Sequence, residues 1–219
     1  MGAKIITVFN EKGGAGKTTL TMQLSSALAE LGAKVLVADT DTQGAASQWA
    51  ASALDEKPFP ATVIGLAHAG NKLHRELQHH FELFDFILVD CKPSVDSKAT
   101  QSALVVSDLA LIPFIPSPVD AWALTAAKNL VDNAQAVNEN LQVRLVVNAY
   151  TRTNLSAEVS TLIAETQGLD VLKTELSARS AYRESAAFGG SVLTSSRDAK
   201  AQQEVRALAA EVLTLFEEV

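Results

Sequence analysis

A glycine-rich loop between an apolar strand pattern and a helical pattern constrains this chain more than any other feature. It lies in residues 4–20, KIITVFNEKGGAGKTTL. The glycines allow several backbone N–H groups to converge, and the Gly-Lys-Thr sequence begins a helix, as in a phosphate-binding loop. Lys17 is then placed to bridge the β- and γ-phosphates, and the Thr18 hydroxyl to bind Mg²⁺. Glu11 departs from the common motif, which has glycine there, but the strand–loop–helix context fits. The residues predicted to bind the phosphates are Gly13, Gly14, Ala15, Gly16, Lys17, Thr18 and Thr19.

Two further apolar runs, residues 34–39 and 84–90, end in acids. Ligands of parallel α/β sheets bind at the carboxyl ends of the strands, so we expect these acids at the same site. Asp90 is predicted to hold Mg²⁺ through water, and Asp39 to help organise the Mg²⁺ shell. Asp41 is predicted to orient or deprotonate the attacking water. An alternative stays open, in which Asp39 and Asp41 only cap the following helix.

Strand and helix patterns alternate along the 219 residues, and 47% of the residues are hydrophobic but only 5% aromatic. This predicts one aliphatic α/β domain, residues 1–219, with a doubly wound, mostly parallel sheet and helices on both faces. Besides the strands above, strands are predicted at 109–114, 143–148 and near 170–173, and helices at 18–31, 45–59, 97–106, 121–138, 156–167 and 198–216.

Composition limits the possible partners and surroundings. The net charge is −7, so any nucleic-acid binding must come from a local basic patch. The single cysteine, Cys91, fits a reducing cytoplasm. It is predicted to be a packing residue rather than a nucleophile. No apolar run approaches the roughly 20 residues of a membrane span.

All four histidines lie in residues 62–80. His79 and His80 are adjacent, so they point to different faces of a helix and do not form a metal site. The segment is predicted to present a solvated helix face.

Lys12, directly before the double glycine, completes the sequence KGGAGKTT. This resembles the deviant Walker A motif of the ParA/MinD family of ATPases. The segments DTDTQG at 39–44 and PSPVD at 116–120 are also similar to that family, although Thr42 replaces its usual proline. Lys92, in the segment CKPS at 91–94, is a further departure from the family's pattern. The resemblance implies that Lys12 reaches across a nucleotide-sandwich dimer to the partner's phosphates. It also implies that the segment containing Pro116 and Asp120 lies at the nucleotide and dimer interface, and that Asn148 contacts adenine.

Residues 171–206 carry six basic and four acidic side chains inside an acidic protein. Two interpretations stay open, an ordinary solvated surface and a patch that contacts DNA phosphates. The residues predicted to contact DNA are Lys173, Arg179, Arg183, Arg197 and Lys200.

Among family members, the chain resembles the short ParA-type partition ATPases without an N-terminal helix-turn-helix domain. This implies a cytoplasmic, nucleoid-associated protein that binds ATP and Mg²⁺, forms a homodimer on ATP and binds DNA non-specifically. A cargo-bound adaptor protein would stimulate hydrolysis and release it. A MinD-like membrane regulator is one alternative, although Glu211, Glu217 and Glu218 near the C-terminus would be repelled by anionic lipid. A metabolic ATP-dependent enzyme on the same fold is the other.

Overall fold

The computed structural model describes residues 2–94, 97–151 and 154–217, with the side chains of residues 118–123, 154–157, 159–160 and 164 outside this description. Six parallel strands form one sheet in the order β3-β2-β4-β1-β5-β6. This confirms the predicted α/β parallel-sheet fold. The strands are β1 (Lys4–Val8), β2 (Val35–Asp39), β3 (Thr62–Gly65), β4 (Phe86–Asp90), β5 (Leu109–Phe114) and β6 (Gln142–Val147).

Helices connect these strands and follow the last of them. A 3₁₀ turn at Ala67–Lys72 precedes α3. The helices are α1 (Lys17–Glu30), α2 (Ala45–Ala51), α3 (Leu73–His80), α4 (Lys98–Leu104), α5 (Pro118–Gln135), α6 (Asn154–Gln167), α7 (Ser180–Ala187), α8 (Val192–Ser195) and α9 (Ala199–Glu217).

The sheet separates two hydrophobic cores. Ile5 of β1 packs into one core with residues of α3, α4 and α5, whereas its neighbour Ile6 packs into the other with residues of α1 and α9. Successive strand residues point to opposite faces, and both faces are covered by helices. This explains why the strands are continuous apolar runs, and it confirms the prediction of helices on both faces.

Strand register brings the acids together. Asp90 at the end of β4 is paired with Val8 of β1 on one side and with Asp39 of β2 on the other. The glycine-rich loop follows β1 directly. The predicted phosphate loop and two predicted metal-binding acids therefore lie at adjacent strand ends.

A predicted helix and a predicted strand differ from the structure, and one observed strand was not predicted. The helix predicted at 45–59 ends at Ala51, because the next residues turn back into a bridge between Leu54 and Lys57. Strand β3 was not predicted. The strand predicted near 170–173 is a single bridge from Val171 to β6. The N–H groups of Lys173 and Thr174 donate to Glu211 of α9 instead of to a strand. Of the helices described, none is both long enough and apolar enough to cross a bilayer.

Candidate nucleotide-binding site

The glycine-rich loop opens into a cleft of about 340 Å³ at the carboxyl edge of the sheet. Gly14 and Gly16 adopt positive φ angles of 78° and 89°, which only glycine adopts without strain. The loop ends at the first turn of α1, where Lys17 begins the helix. The cleft is lined by Gly13, Gly14, Gly16, Lys17, Thr18, Thr19, Asp41, Cys91 and Pro93.

Asn148 holds the loop from the end of β6, which is separated from β1 by β5. Its Nδ2 donates a hydrogen bond of 2.9 Å to the Ala15 carbonyl, and its own N–H donates to Phe114. A Cβ added at Gly16 would lie 1.8 Å from this Nδ2. Gly16 is therefore required both for its backbone angle and for the approach of the Asn148 amide. The amide nitrogen carries two hydrogens, so one donor remains for the predicted adenine contact.

The Gly16→Ala variant is expected to be less stable than Gly14→Ala. Both substitutions place an alanine at positive φ, at a cost of about 1–2 kcal/mol. A Cβ at Gly14 meets nothing within 4 Å, so it is a matched control, whereas the Cβ at Gly16 also displaces Asn148. We expect denaturant unfolding to show an additional loss of about 1 kcal/mol or more for Gly16→Ala. Equal losses would contradict the Asn148 contact.

Lys17 lies deep in the loop. The residue is 7% exposed, and its Nζ donates a hydrogen bond of 3.1 Å to the carbonyl oxygen of Lys12. Desolvation by burial lowers the pKa of Lys17, and the nearby Asp90 carboxylate opposes this effect. A phosphate in the cleft would supply the anionic partner that a buried ammonium favours.

A residue that the sequence did not single out fixes the start of the loop. Asn10 is buried. Its Oδ1 accepts a hydrogen bond of 3.0 Å from the Lys12 N–H, and its Nδ2 donates one of 2.7 Å to the Pro113 carbonyl. The Lys12 backbone is thus held on both sides, by Asn10 and by Lys17. A polar residue directly after an apolar strand was the available signal.

Thr18 and Asp90 are in direct contact. The Thr18 hydroxyl donates a hydrogen bond of 2.7 Å to Asp90 Oδ2, and Thr21 Oγ1 lies 3.5 Å from Asp90 Oδ1. Burial raises the pKa of Asp90 to about 7, although the bond from Thr18 acts in the opposite direction. A hydroxyl and a carboxylate at the mouth of a phosphate loop are the hard oxygen donors that Mg²⁺ accepts. These two residues therefore fit a magnesium ion bound together with nucleotide phosphates.

The carboxylates of Asp39 and Asp41 have different surroundings, although the two residues are separated by only one residue. Asp39 is buried, and its two carboxylate oxygens accept hydrogen bonds from the Asp41 N–H and from the N–H and hydroxyl of Ser47. The helix-capping alternative fits these hydrogen bonds of Asp39, and its part in the Mg²⁺ shell stays a prediction. Asp41 lines the cleft, and its Oδ1 accepts from the Gln43 N–H.

Cys91, the residue after Asp90, is buried. Burial raises the pKa of its thiol to about 12, so the sulfur stays protonated at neutral pH. This agrees with the prediction of a packing residue rather than a nucleophile.

Another predicted nucleotide contact, Pro116, is not among the residues that line this cleft. Pro116 is half-buried in the segment after β5, at the same sheet edge. The side chain of Asp120 lies outside the described residues.

The predicted DNA-contacting residues lie on a separate surface. Lys173, Arg179 and Lys200 line an open cleft of about 910 Å³ beside α9. Arg183 and Arg197 are exposed. Three of the five residues therefore line one cleft, and the other two are exposed outside its lining.

Arg179 differs from the other four cations. Its guanidinium lies 2.9 Å from Glu204 and 3.6 Å from Asp198, and these partners raise its pKa. Glu204 also accepts from Ser177 and Tyr182. The charge of Arg179 is already neutralised within the protein.

The histidine segment is only partly a solvated face. His68 and His79 are exposed, but His74 Nδ1 lies 2.9 Å from Ser102 Oγ of α4. Within the described residues, no group of three or more His, Cys, Asp or Glu side chains could hold a metal ion.

Comparison with known proteins identifies relatives over almost the whole chain. Maintenance of carboxysome distribution protein A from Halothiobacillus neapolitanus is 32% identical over 210 residues, which cover 95% of each protein. A solved structure of a variant of McdA from Cyanothece in complex with ATP has a TM-score of 0.81 at 16% identity and covers 96% of each chain.

A third similar protein is named as a synthase rather than as a distribution protein. Cobyrinic acid a,c-diamide synthase from Mycobacterium smegmatis, with bound ADP and magnesium, has a TM-score of 0.78 at 22% identity and covers 98% of this chain and 96% of its own. At such identities the two solved structures show the shared fold. The expectation of ATP and Mg²⁺ agrees with the groups bound in them.

The family model for the CobQ/CobB/MinD/ParA nucleotide binding domain matches residues 6–192, which include the whole cleft described above. The chain therefore belongs to this family, as the resemblance of its glycine-rich loop predicts.

Proposed function

We propose that this protein is a ParA-type positioning ATPase. It binds ATP with Mg²⁺ in the cleft, dimerises, binds DNA non-specifically as a dimer, and is released when a cargo-bound adaptor stimulates hydrolysis. The full-length similarity to a protein named for carboxysome distribution supports positioning of a cargo. The cargo could equally be a plasmid or a chromosome, because the ATPase chemistry is the same.

The observation that carries the proposal is the composition of one cleft. The phosphate loop, Lys17, Thr18 and Asp41 line the same space, and Asp90 contacts Thr18. Lys17 and the loop N–H groups would bind phosphate, and Thr18 with Asp90 would hold Mg²⁺, which would neutralise phosphate charge. Asp41 would orient the attacking water or accept its proton.

Lys12 is the residue proposed to act across the dimer. Its N–H is held by Asn10 and its carbonyl by Lys17, so the backbone that carries this side chain is fixed at the edge of the loop. A fixed backbone limits the conformational entropy lost when the side chain contacts a partner. The partner's phosphates are the proposed acceptor.

The DNA-binding face is proposed to consist of Lys173, Arg183, Arg197 and Lys200, which are all exposed. Arg179 is proposed to organise this region rather than contact phosphate, because Glu204 and Asp198 already bind it. A two-fold dimer would double the number of phosphate contacts, and DNA affinity depends steeply on that number.

DNA affinity is expected to depend on nucleotide state. The wild type should bind duplex DNA with ATP and far more weakly with ADP. In Arg183→Glu the affinity should fall, and the slope of log affinity against log salt should become shallower by about 2 per dimer, one phosphate contact per subunit. A salt titration with each nucleotide measures both effects.

Arg75→Glu is the matched control for this titration. Arg75 is an exposed arginine of α3, and its reversal changes the net charge by the same amount. It should leave the slope unchanged. Equal DNA affinity with ATP and ADP would overturn the DNA-binding proposal and favour a metabolic enzyme, whose turnover would rise with a small-molecule acceptor.

A further inference from the structure

We infer that Ser47 is a positioning residue for hydrolysis, acting on Asp41 through the buried Asp39 carboxylate. This inference rests on the proposed function, because it assumes that Asp41 acts on the attacking water. The arrangement of Ser47, Asp39 and Asp41 is called the α2 latch below.

The latch is built from three hydrogen bonds to one carboxylate. Asp39 Oδ1 accepts from the Asp41 N–H at 3.1 Å, and Oδ2 accepts from the Ser47 N–H and hydroxyl, each at 2.9 Å. Asp39 is 1% exposed, so water does not compete for these oxygens. Hydrogen bonds to a buried charge are stronger than those between neutral groups.

The rest of the segment is held by hydrogen bonds of its own. Thr40 is anchored to β4, since its N–H and hydroxyl both donate to the Asp90 carbonyl. After Asp41 the chain turns, and α2 begins from Gly44, a left-handed residue that provides no side-chain cap. The first N–H groups of a helix lack partners within it. Asp39 provides an acceptor for one of them, at Ser47, and thereby joins α2 to Asp41.

This geometry has a catalytic consequence. Asp41 must meet a water molecule at a fixed place in the cleft, and small displacements of a reacting group lower the rate strongly. The latch sets the Asp41 backbone relative to two rigid supports, the end of β2 and the start of α2. Ser47 does not line the phosphate cleft, so its loss should affect turnover rather than nucleotide binding.

The test compares the wild type with Ser47→Ala, Ser47→Thr and Ser52→Ala. Ser52 is the matched control, because it lies at the other end of α2 and its hydroxyl donates to Gln48 rather than to Asp39. We expect kcat of Ser47→Ala to fall about tenfold with KM and ATP affinity unchanged. Ser47→Thr, which retains the hydroxyl, should restore kcat, and Ser52→Ala should match the wild type.

Amide hydrogen exchange of the nucleotide-free protein gives a readout that does not depend on turnover. Exchange at the Asp41 N–H should be at least about fivefold faster in Ser47→Ala than in the wild type, and unchanged in Ser47→Thr and Ser52→Ala. If the wild type has no ATPase activity, the proposed function fails, while the exchange measurement still decides whether the latch exists. Unchanged exchange or unchanged kcat in Ser47→Ala would overturn the inference.

A magnesium titration separates the latch from direct metal binding by Asp39. In Ser47→Ala the Mg²⁺ concentration for half-maximal ATP binding should equal that of the wild type. A several-fold increase would show that Ser47 and Asp39 act on the metal, and would overturn the positioning role.

Discussion

The Asp41→Ala variant should bind ATP and form the dimer, yet hydrolyse ATP about 100- to 1,000-fold more slowly than the wild type, within the usual contribution of general acid–base catalysis. Asp41 lines the cleft but belongs to the segment after β2, whereas the phosphate-binding groups belong to the loop and α1. Its removal should therefore affect the step in which water attacks and leave ATP binding nearly unchanged. Phosphate release and equilibrium ATP binding measure the two properties.

Asp41→Asn is the second variant for this experiment. The asparagine oxygen can still accept the hydrogen bond from the Gln43 N–H, so the turn after Asp41 is retained. An amide cannot accept the proton of water, so Asp41→Asn should be almost as slow as Asp41→Ala. Normal turnover in Asp41→Asn would show that Asp41 orients the turn only, and that another group activates the water.

Asp90→Asn should make the nucleotide-free protein more stable at pH 8 and abolish its stabilisation by magnesium with nucleotide. The pKa of Asp90 is raised to about 7 in the folded protein, from an ordinary value of 3.8, chiefly by burial. Between these two values the folded state holds a proton that the unfolded state has lost. Stability therefore decreases as the pH rises through this interval.

The stability difference between the wild type and Asp90→Asn should therefore depend on pH. Asp90 is protonated in both states only well below pH 3.8, so the wild type and Asp90→Asn should differ least at the lowest pH. Above pH 7 the wild type carries a buried carboxylate, at a cost on the order of 4 kcal/mol that the amide avoids. Denaturant unfolding in metal-free buffer at pH 4, 6 and 8 measures this difference.

Asp170→Asn is the control for the pH profile. Its carboxylate is 80% exposed beside Arg144, so the same chemical change should not produce a pH-dependent gain. In the presence of ADP, adding Mg²⁺ should raise the Tm of the wild type and of Asp170→Asn but not of Asp90→Asn. A magnesium-dependent rise in Asp90→Asn would contradict the assignment of Asp90 to the metal.

Several parts of the structure could be predicted because their signals are local. The glycine-rich loop, the apolar runs of β2 and β4, and the acids at their ends lie within short stretches of sequence. Parallel strands buried on both faces give continuous apolar runs. The helices α1 and α9 could be predicted from their apolar spacing, within one residue at each end.

Other parts depended on contacts between distant residues. β3 is a four-residue edge strand without a fully buried side chain, so it lacks the apolar run of the other strands. The charge count treated Arg179 as an available cation, but its partner Glu204 lies 25 residues away on α9. The hydrogen bonds from Ser47 to Asp39 could not be predicted, because they depend on the position of Ser47 in space.

We propose that ATP holds two subunits together until Asp41-dependent hydrolysis separates them. Light scattering with ATP and Mg²⁺ tests it most directly, using the wild type, Asp41→Ala and Lys12→Ala. We expect a transient dimer for the wild type, a persistent dimer for Asp41→Ala, and a monomer for Lys12→Ala. A monomer in Asp41→Ala despite bound ATP, or a stable dimer in Lys12→Ala, would contradict it.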